Sequence, residues 1–69
     1  MRRCYLAAYD ICDPKRLRKV HKLMKGYGEK WQYSIFFCVL KDIDFVRLKS
    51  DVRELIKNDE DQVLIIDLG

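Results

Sequence analysis

Asp10 ends a run of strand-forming residues, Cys4-Tyr-Leu-Ala-Ala-Tyr9, and opens a short segment that leads to Asp13. A carboxylate at a strand end is held by the sheet yet reaches solvent, which suits a ligand for a hard cation. Mg2+ takes oxygen donors and keeps several of its waters, so one carboxylate per chain is a weak site. Two copies of Asp10 brought together would make a better one. Asp at a loop start also caps turns for purely structural reasons, and for Asp10 the two readings stand level. Asp13 reads more simply as a helix cap, because Pro14 follows at the first helical position, where its missing N–H costs nothing.

The second candidate is a cluster of cations. From Lys15 to Lys30 lie Lys15, Arg16, Arg18, Lys19, Lys22, Lys25 and Lys30 against Glu29 alone, a local charge of +6 in a chain whose net charge is +3. From Lys41 to Gly69 five cations face eight anions, giving −3. Such asymmetry predicts a positive face that meets phosphate and an acidic half that keeps the protein soluble. Lys15, Arg16, Arg18, Lys19, Lys22 and Lys30 are the candidate nucleic-acid contacts. The plain alternative is a solvated helix face, which the lack of balancing carboxylates one turn away disfavours.

Other residues carry weaker signals. His21 falls beside the apolar stripe of the first helix and reads as a boundary residue rather than a general base. Ser34 has no histidine partner nearby in sequence. Trp31, Tyr33, Phe36 and Phe37 have faces on which bases stack, but aromatics on an alternating strand more often belong to the core. Asp59-Glu60-Asp61 reads as a solvated loop. No Gly-rich phosphate loop and no Ser–His–Asp spacing occurs.

The elements that must position these residues follow from periodicity. Leu17, Val20, Met24 and Tyr27 recur at helical spacing, with Gly26 and Gly28 as the stop. Lys30 to Leu40 reads as extended, either one long strand or two shorter ones, and neither Gly nor Pro marks a bend. Asp42 or Asp44 is expected to cap a second helix with the stripe Phe45, Leu48, Val52, Leu55 and Ile56. Asn58 to Asp61 forms a polar loop before a last strand at Val63–Ile66. If the middle segment is a hairpin, the plan is the split βαβ, ferredoxin-like order βαββαβ, an α+β fold. Its antiparallel sheet carries both helices on one face. Strands apolar on both sides need cover on the other face as well, which predicts a homodimer packed sheet to sheet.

Sixty-nine residues make a single domain over 1–69 with a thin core. Three cysteines, with no Cys-x-x-Cys pair and no zinc-type spacing to the only histidine, predict free thiols in a reduced cytoplasmic protein. No signal peptide or membrane span is expected.

Tyr9-Asp10-Ile11 with Asp13, a basic helix, and Gln32-Tyr33-Ser34-Ile35-Phe36 together resemble the CRISPR-associated protein family usually numbered two. Each motif is weak alone, but the pair at this spacing is specific, and the resemblance covers nearly the whole chain. It implies a ferredoxin-like homodimer that takes part in acquiring CRISPR spacers, bridging the CRISPR integrase and holding duplex DNA. It also implies metal-dependent endonuclease activity on RNA or DNA in many members, with single-stranded RNA as a further partner. Asp10 matches the family's catalytic, metal-binding aspartate and Mg2+ is the implied cofactor. Tyr9, Arg16, Arg18, Ser34 and Phe36 match positions tied to activity or to the shape of the site. Phe37 and Val39 are apolar where members often carry polar residues. The family usually runs on past the position of Gly69 into a further strand that pairs with the partner subunit. The rival is a toxin-type ribonuclease of the virulence-associated D family, which shares the fold and an early aspartate. A ferredoxin-like small-molecule regulatory domain is a third class, which the basic helix disfavours.

Overall fold

Asp13 and Pro14 start the first helix as their types require. The Asp13 backbone is extended, and its Oδ2 accepts the Arg16 backbone N–H at 2.9 Å, satisfying one of the amides that a helix start leaves unpartnered. This cap lies in a computed structural model that describes all of residues 1–69. The elements run β1 (Arg2–Asp10), α1 (Pro14–Tyr27), β2 (Glu29–Gln32), β3 (Ile35–Lys41), α2 (Asp42–Leu55) and β4 (Gln62–Asp67). One antiparallel sheet has the order β2-β3-β1-β4, the ferredoxin-like βαββαβ plan.

Strand alternation divides the sheet into two unlike faces. Tyr5, Ala7 and Tyr9 of β1 and Phe36, Cys38 and Leu40 of β3 are buried, together with Val20 and Met24 of α1 and Leu48 and Val52 of α2. Leu17, Tyr27, Phe45, Leu55 and Ile56 of the expected stripes pack against this core. Tyr5 stacks on Phe45 with ring centroids 4.2 Å apart, and the Tyr27 hydroxyl donates to Asp51 Oδ2 at 3.1 Å, tying α1 to α2. The intervening positions, Leu6 and Ala8, Ile35, Phe37 and Val39, and Leu64 and Ile66, lie on the opposite face. Leu64 and Ile66 are 60% and 42% exposed. Within one chain nothing covers them.

Several local expectations change. The middle segment bends at Tyr33–Ser34 between β2 and β3, and the Tyr9 backbone N–H donates to the Ser34 carbonyl at 3.1 Å. The second helix is not capped by Asp42 or Asp44. Lys41 occupies the N-cap position without a side-chain bond, and both aspartates fall in the first turn, where their charge opposes the positive end of the helix dipole. Gly26 lies inside α1, and Gly28 alone ends it. The reason for glycine at 28 is space rather than left-handed backbone. A Cβ there would sit 2.5 Å from Cys38 Sγ and 2.6 Å from the Phe37 carbonyl oxygen. All three cysteines are free thiols.

Candidate nucleic-acid interface

Leucine, valine and methionine turn one side of α1 into the core, which leaves its cations outward. Lys15, Arg18, Lys19, Lys22 and Lys25 are exposed, as is Lys30 on β2, and none has an acidic partner within 4.0 Å. Arg16 differs. Its Nε donates to Asp61 Oδ2 at 2.8 Å and its Nη2 to Asp61 Oδ1 at 3.2 Å, a two-pronged contact that fixes the guanidinium. Of the six cations expected to meet phosphate, Arg16 is the one already paired, so its place is structural.

Asp61 was expected in a solvated loop, and this needs correction. Its side chain has no exposure, and its carboxylate also accepts the backbone N–H groups of Cys12 at 3.0 Å and Lys57 at 2.9 Å. One carboxylate therefore joins the loop after β1, the start of α1 and the loop before β4. The Arg16 hydrogen bonds, followed by those from the Lys57 and Cys12 amides, hold its pKa far below the usual carboxylate range against the opposing effect of burial. Glu60 stays at the surface, with Oε1 3.8 Å from Arg16 and Oε2 3.0 Å from Lys57. The acidic run hid Asp61 in the sequence. Its one distinguishing signal was its position immediately before an apolar strand.

Asp10 is exposed at the end of β1, opposite Gln62 of β4. It belongs to the open sheet face with Ala8 and Leu64, and these residues line a shallow depression. Tyr9, next in the chain, points the other way. It is buried, stacks obliquely on Phe36 with centroids 6.3 Å apart, and its hydroxyl meets His21 Nδ1 at 3.0 Å. The expected site residues thus separate into three places. Tyr9 and Phe36 belong with α1, Asp10 stands alone on the far side of the sheet, and Ser34 lies in the turn that links β2 to β3. No group of three His, Cys, Asp or Glu side chains is arranged to hold a metal. Asp10 offers one hard oxygen donor from an accessible edge, fewer than a bound divalent cation takes from protein and water together.

The aromatics also depart from expectation. Phe36 is in the core as expected, but Trp31 and Tyr33 are 54% and 75% exposed. Trp31 stacks on Phe37 with centroids 4.8 Å apart. Tyr33 stands beside Lys30, whose Nζ is 5.4 Å from the ring centroid. Leu17, Arg18, His21, Lys22, Lys25, Lys30 and Tyr33 together line a groove of about 240 Å³.

Fold and site define a ferredoxin-like protein with a cationic helix face on one side of its sheet and an accessible carboxylate on the other. A family model for the CRISPR associated protein Cas2 matches residues 2–69. The chain belongs to that family. It is 48% identical over 65 residues to CRISPR-associated endoribonuclease Cas2 1 of Rhodospirillum rubrum, covering 94% of this chain and 64% of that protein. To CRISPR-associated endoribonuclease Cas2 2 of Thermodesulfovibrio yellowstonii it is 43% identical over 68 residues, covering 99% and 75%. Among solved structures, a hypothetical protein from Thermus thermophilus superposes with a TM-score of 0.95 at 35% identity, covering all of this chain and 84% of that one. A chain in a partial Cas6-RT-Cas1–Cas2 complex superposes at 0.82 with 27% identity, covering 97% and 79%. Membership of this family sets aside the toxin-type ribonuclease. No helix is long and apolar enough to cross a membrane.

Proposed function

We propose that this chain acts in the cytoplasm in CRISPR spacer acquisition, as a two-fold dimer that binds duplex DNA through α1 and bridges copies of the Cas1 integrase. The observation that carries the reading is the unpaired cationic face of α1 and β2. Five exposed cations on one helix and Lys30 beside it, with no carboxylate to neutralise them, suit a phosphate backbone better than a solvated surface. The partner choice is supported by the related chain found in a Cas1–Cas2 complex. The open apolar face of the sheet supports the dimer, since Leu64, Ile66, Phe37 and Val39 would lose their contact with water there.

Endonuclease activity is the second part of the reading, supported by the endoribonuclease names of the relatives. Asp10 would hold Mg2+ together with its copy across the dimer axis. When bound, the ion would activate water and neutralise charge on the attacked phosphodiester. The protein's own contribution is to present the carboxylate at a rigid strand end and to leave it open to an RNA or DNA strand. Single-stranded RNA remains a substrate of this reading beside DNA.

The test combines co-purification with Cas1, binding to duplex DNA and Mg2+-dependent cleavage by wild type and Asp10→Asn. The adaptor reading expects Cas1 and DNA binding by both proteins, and absence of both from wild type sinks it. The nuclease reading expects cleavage by wild type only. Equal cleavage by rigorously purified Asp10→Asn removes Asp10 from the site.

A further inference from the structure

The groove between α1 and the β2–β3 turn has a floor unlike an ordinary cationic surface. Arg18, Lys22 and Lys25 come from α1, Lys30 from β2 and Tyr33 from the turn, and His21 lies among them. From β1 the Tyr9 hydroxyl reaches His21 Nδ1, and from β3 only the Phe36 ring packs on it, edge-on at 5.4 Å. No carboxylate lines this groove. Burial above all keeps the Tyr9 hydroxyl protonated, and a protonated hydroxyl can donate to Nδ1 of the neutral ring or accept from Nδ1 of imidazolium. Burial first, and then the charges of Lys25 and Lys30, keep His21 below the ordinary imidazole value of 6.5.

We propose that this groove seats one phosphate of a nucleic-acid strand, with His21 as its proton-linked ligand. The proposal rests on the reading of α1 as the nucleic-acid face, and it adds a discrete seat and a regulated contact to that face. An entering phosphate brings negative charge to the imidazole and offsets the cations that now repel its proton. Both effects favour imidazolium, so a proton passes from solvent to the ring as the anion arrives. By linkage, affinity must rise as pH falls through the neutral range, with a slope of at most about one log unit per pH unit for one proton. His21 is the only histidine in the chain, so its ring signals report the site without ambiguity. A solvated cationic face would bind phosphate through lysine and arginine alone and would show no such slope.

The experiment has two arms. In the first, the imidazole of wild-type protein is titrated by NMR with and without inorganic phosphate at constant ionic strength. Phosphate should move the ring's titration to higher pH, and an unmoved titration overturns the site. In the second, affinity for a short oligonucleotide without terminal phosphates, whose diesters do not titrate in this range, is measured at fixed salt. Between pH 8 and 6 it should strengthen about three- to ten-fold for wild type, and the dependence should vanish in His21→Gln. If the ring responds to inorganic phosphate but the oligonucleotide shows no pH dependence, the seat is not for a strand and the proposal fails. Loss of DNA binding altogether would instead sink the adaptor reading, which the first arm does not depend on.

Discussion

Arg16 and Asp61 stand 45 residues apart in the chain and meet as a two-pronged ion pair, Nε to Oδ2 at 2.8 Å and Nη2 to Oδ1 at 3.2 Å. The contact closes the start of α1 onto the loop before β4. It also sets apart two arginines two positions apart on the same helix: Arg16 is held by a buried carboxylate, while Arg18 is exposed without an acidic partner.

Arg16→Ala should lower the melting temperature clearly more than Arg18→Ala, because it leaves a buried carboxylate with only the Cys12 and Lys57 amides. For DNA affinity the order should reverse among variants that stay folded. Thermal melts and binding isotherms on both proteins check this, and equal melting temperatures would contradict the structural assignment of Arg16.

The same pair predicts an acid response. Asp61 has its folded-state pKa depressed below 3.8, so the unfolded chain binds its proton more readily than the folded one. Its contribution is complete above the ordinary carboxylate range and is lost as pH falls below about 4. Melting temperature followed from pH 7 to pH 3 should fall more steeply for wild type than for Asp61→Asn, which starts lower. Parallel curves would remove Asp61 as the source.

Two glycines two positions apart at the end of α1 should respond with opposite sign. Gly28→Ala forces a methyl against Cys38 Sγ and the Phe37 carbonyl, and overpacking of this kind costs about 2 kcal/mol. Gly26→Ala meets nothing within 4 Å, and in a helix it should stabilise by about 0.5–1 kcal/mol. Denaturant titration measures both.

The open sheet face is testable by charge. Leu64→Asp should shift the proposed dimer towards monomer in light scattering, whereas Arg53→Ala, on the exposed side of α2, should not. A wild type that is a stable monomer would contradict the packing argument. Ile65 packs on the core side of β4, so a charge there would test the subunit's own core rather than the open face.

On the cationic face, Arg18→Ala combined with Lys22→Ala should weaken duplex binding for all sequences alike. The log–log salt dependence should flatten by up to about two units, one per lost phosphate contact. Strong sequence dependence with little salt dependence would contradict a backbone-binding face.

The ferredoxin-like order was legible because each helix carries a clear apolar stripe and Asp13-Pro14 is an unambiguous start. Family membership was legible from Tyr9-Asp10-Ile11 and Gln32-Tyr33-Ser34-Ile35-Phe36. The hairpin bend was not, since Tyr33–Ser34 has only a serine, a weaker turn former than Gly, Pro, Asn or Asp, and the strand pairing with the Tyr9 bond to the Ser34 carbonyl fixes it. Asp61 was not legible because burial of a charge depends on a partner 45 residues away, which no local pattern reports. The groove escaped for the same reason. His21 and Lys25 lie on the helix, but Tyr33 joins them only once β2 folds back.

Adjacent residues in an extended chain point in opposite directions, and Tyr9 and Asp10 do so across a single layer of sheet. Within one subunit the groove beside α1 and the depression at Asp10 are lined by different residues, Tyr33 and the helix cations in one and Ala8, Gln62 and Leu64 in the other. On the proposed nuclease reading, a duplex saturating the helix face should leave both kcat and KM for cleavage of a short single strand in place, and a competitive pattern would show that the two faces share one substrate path.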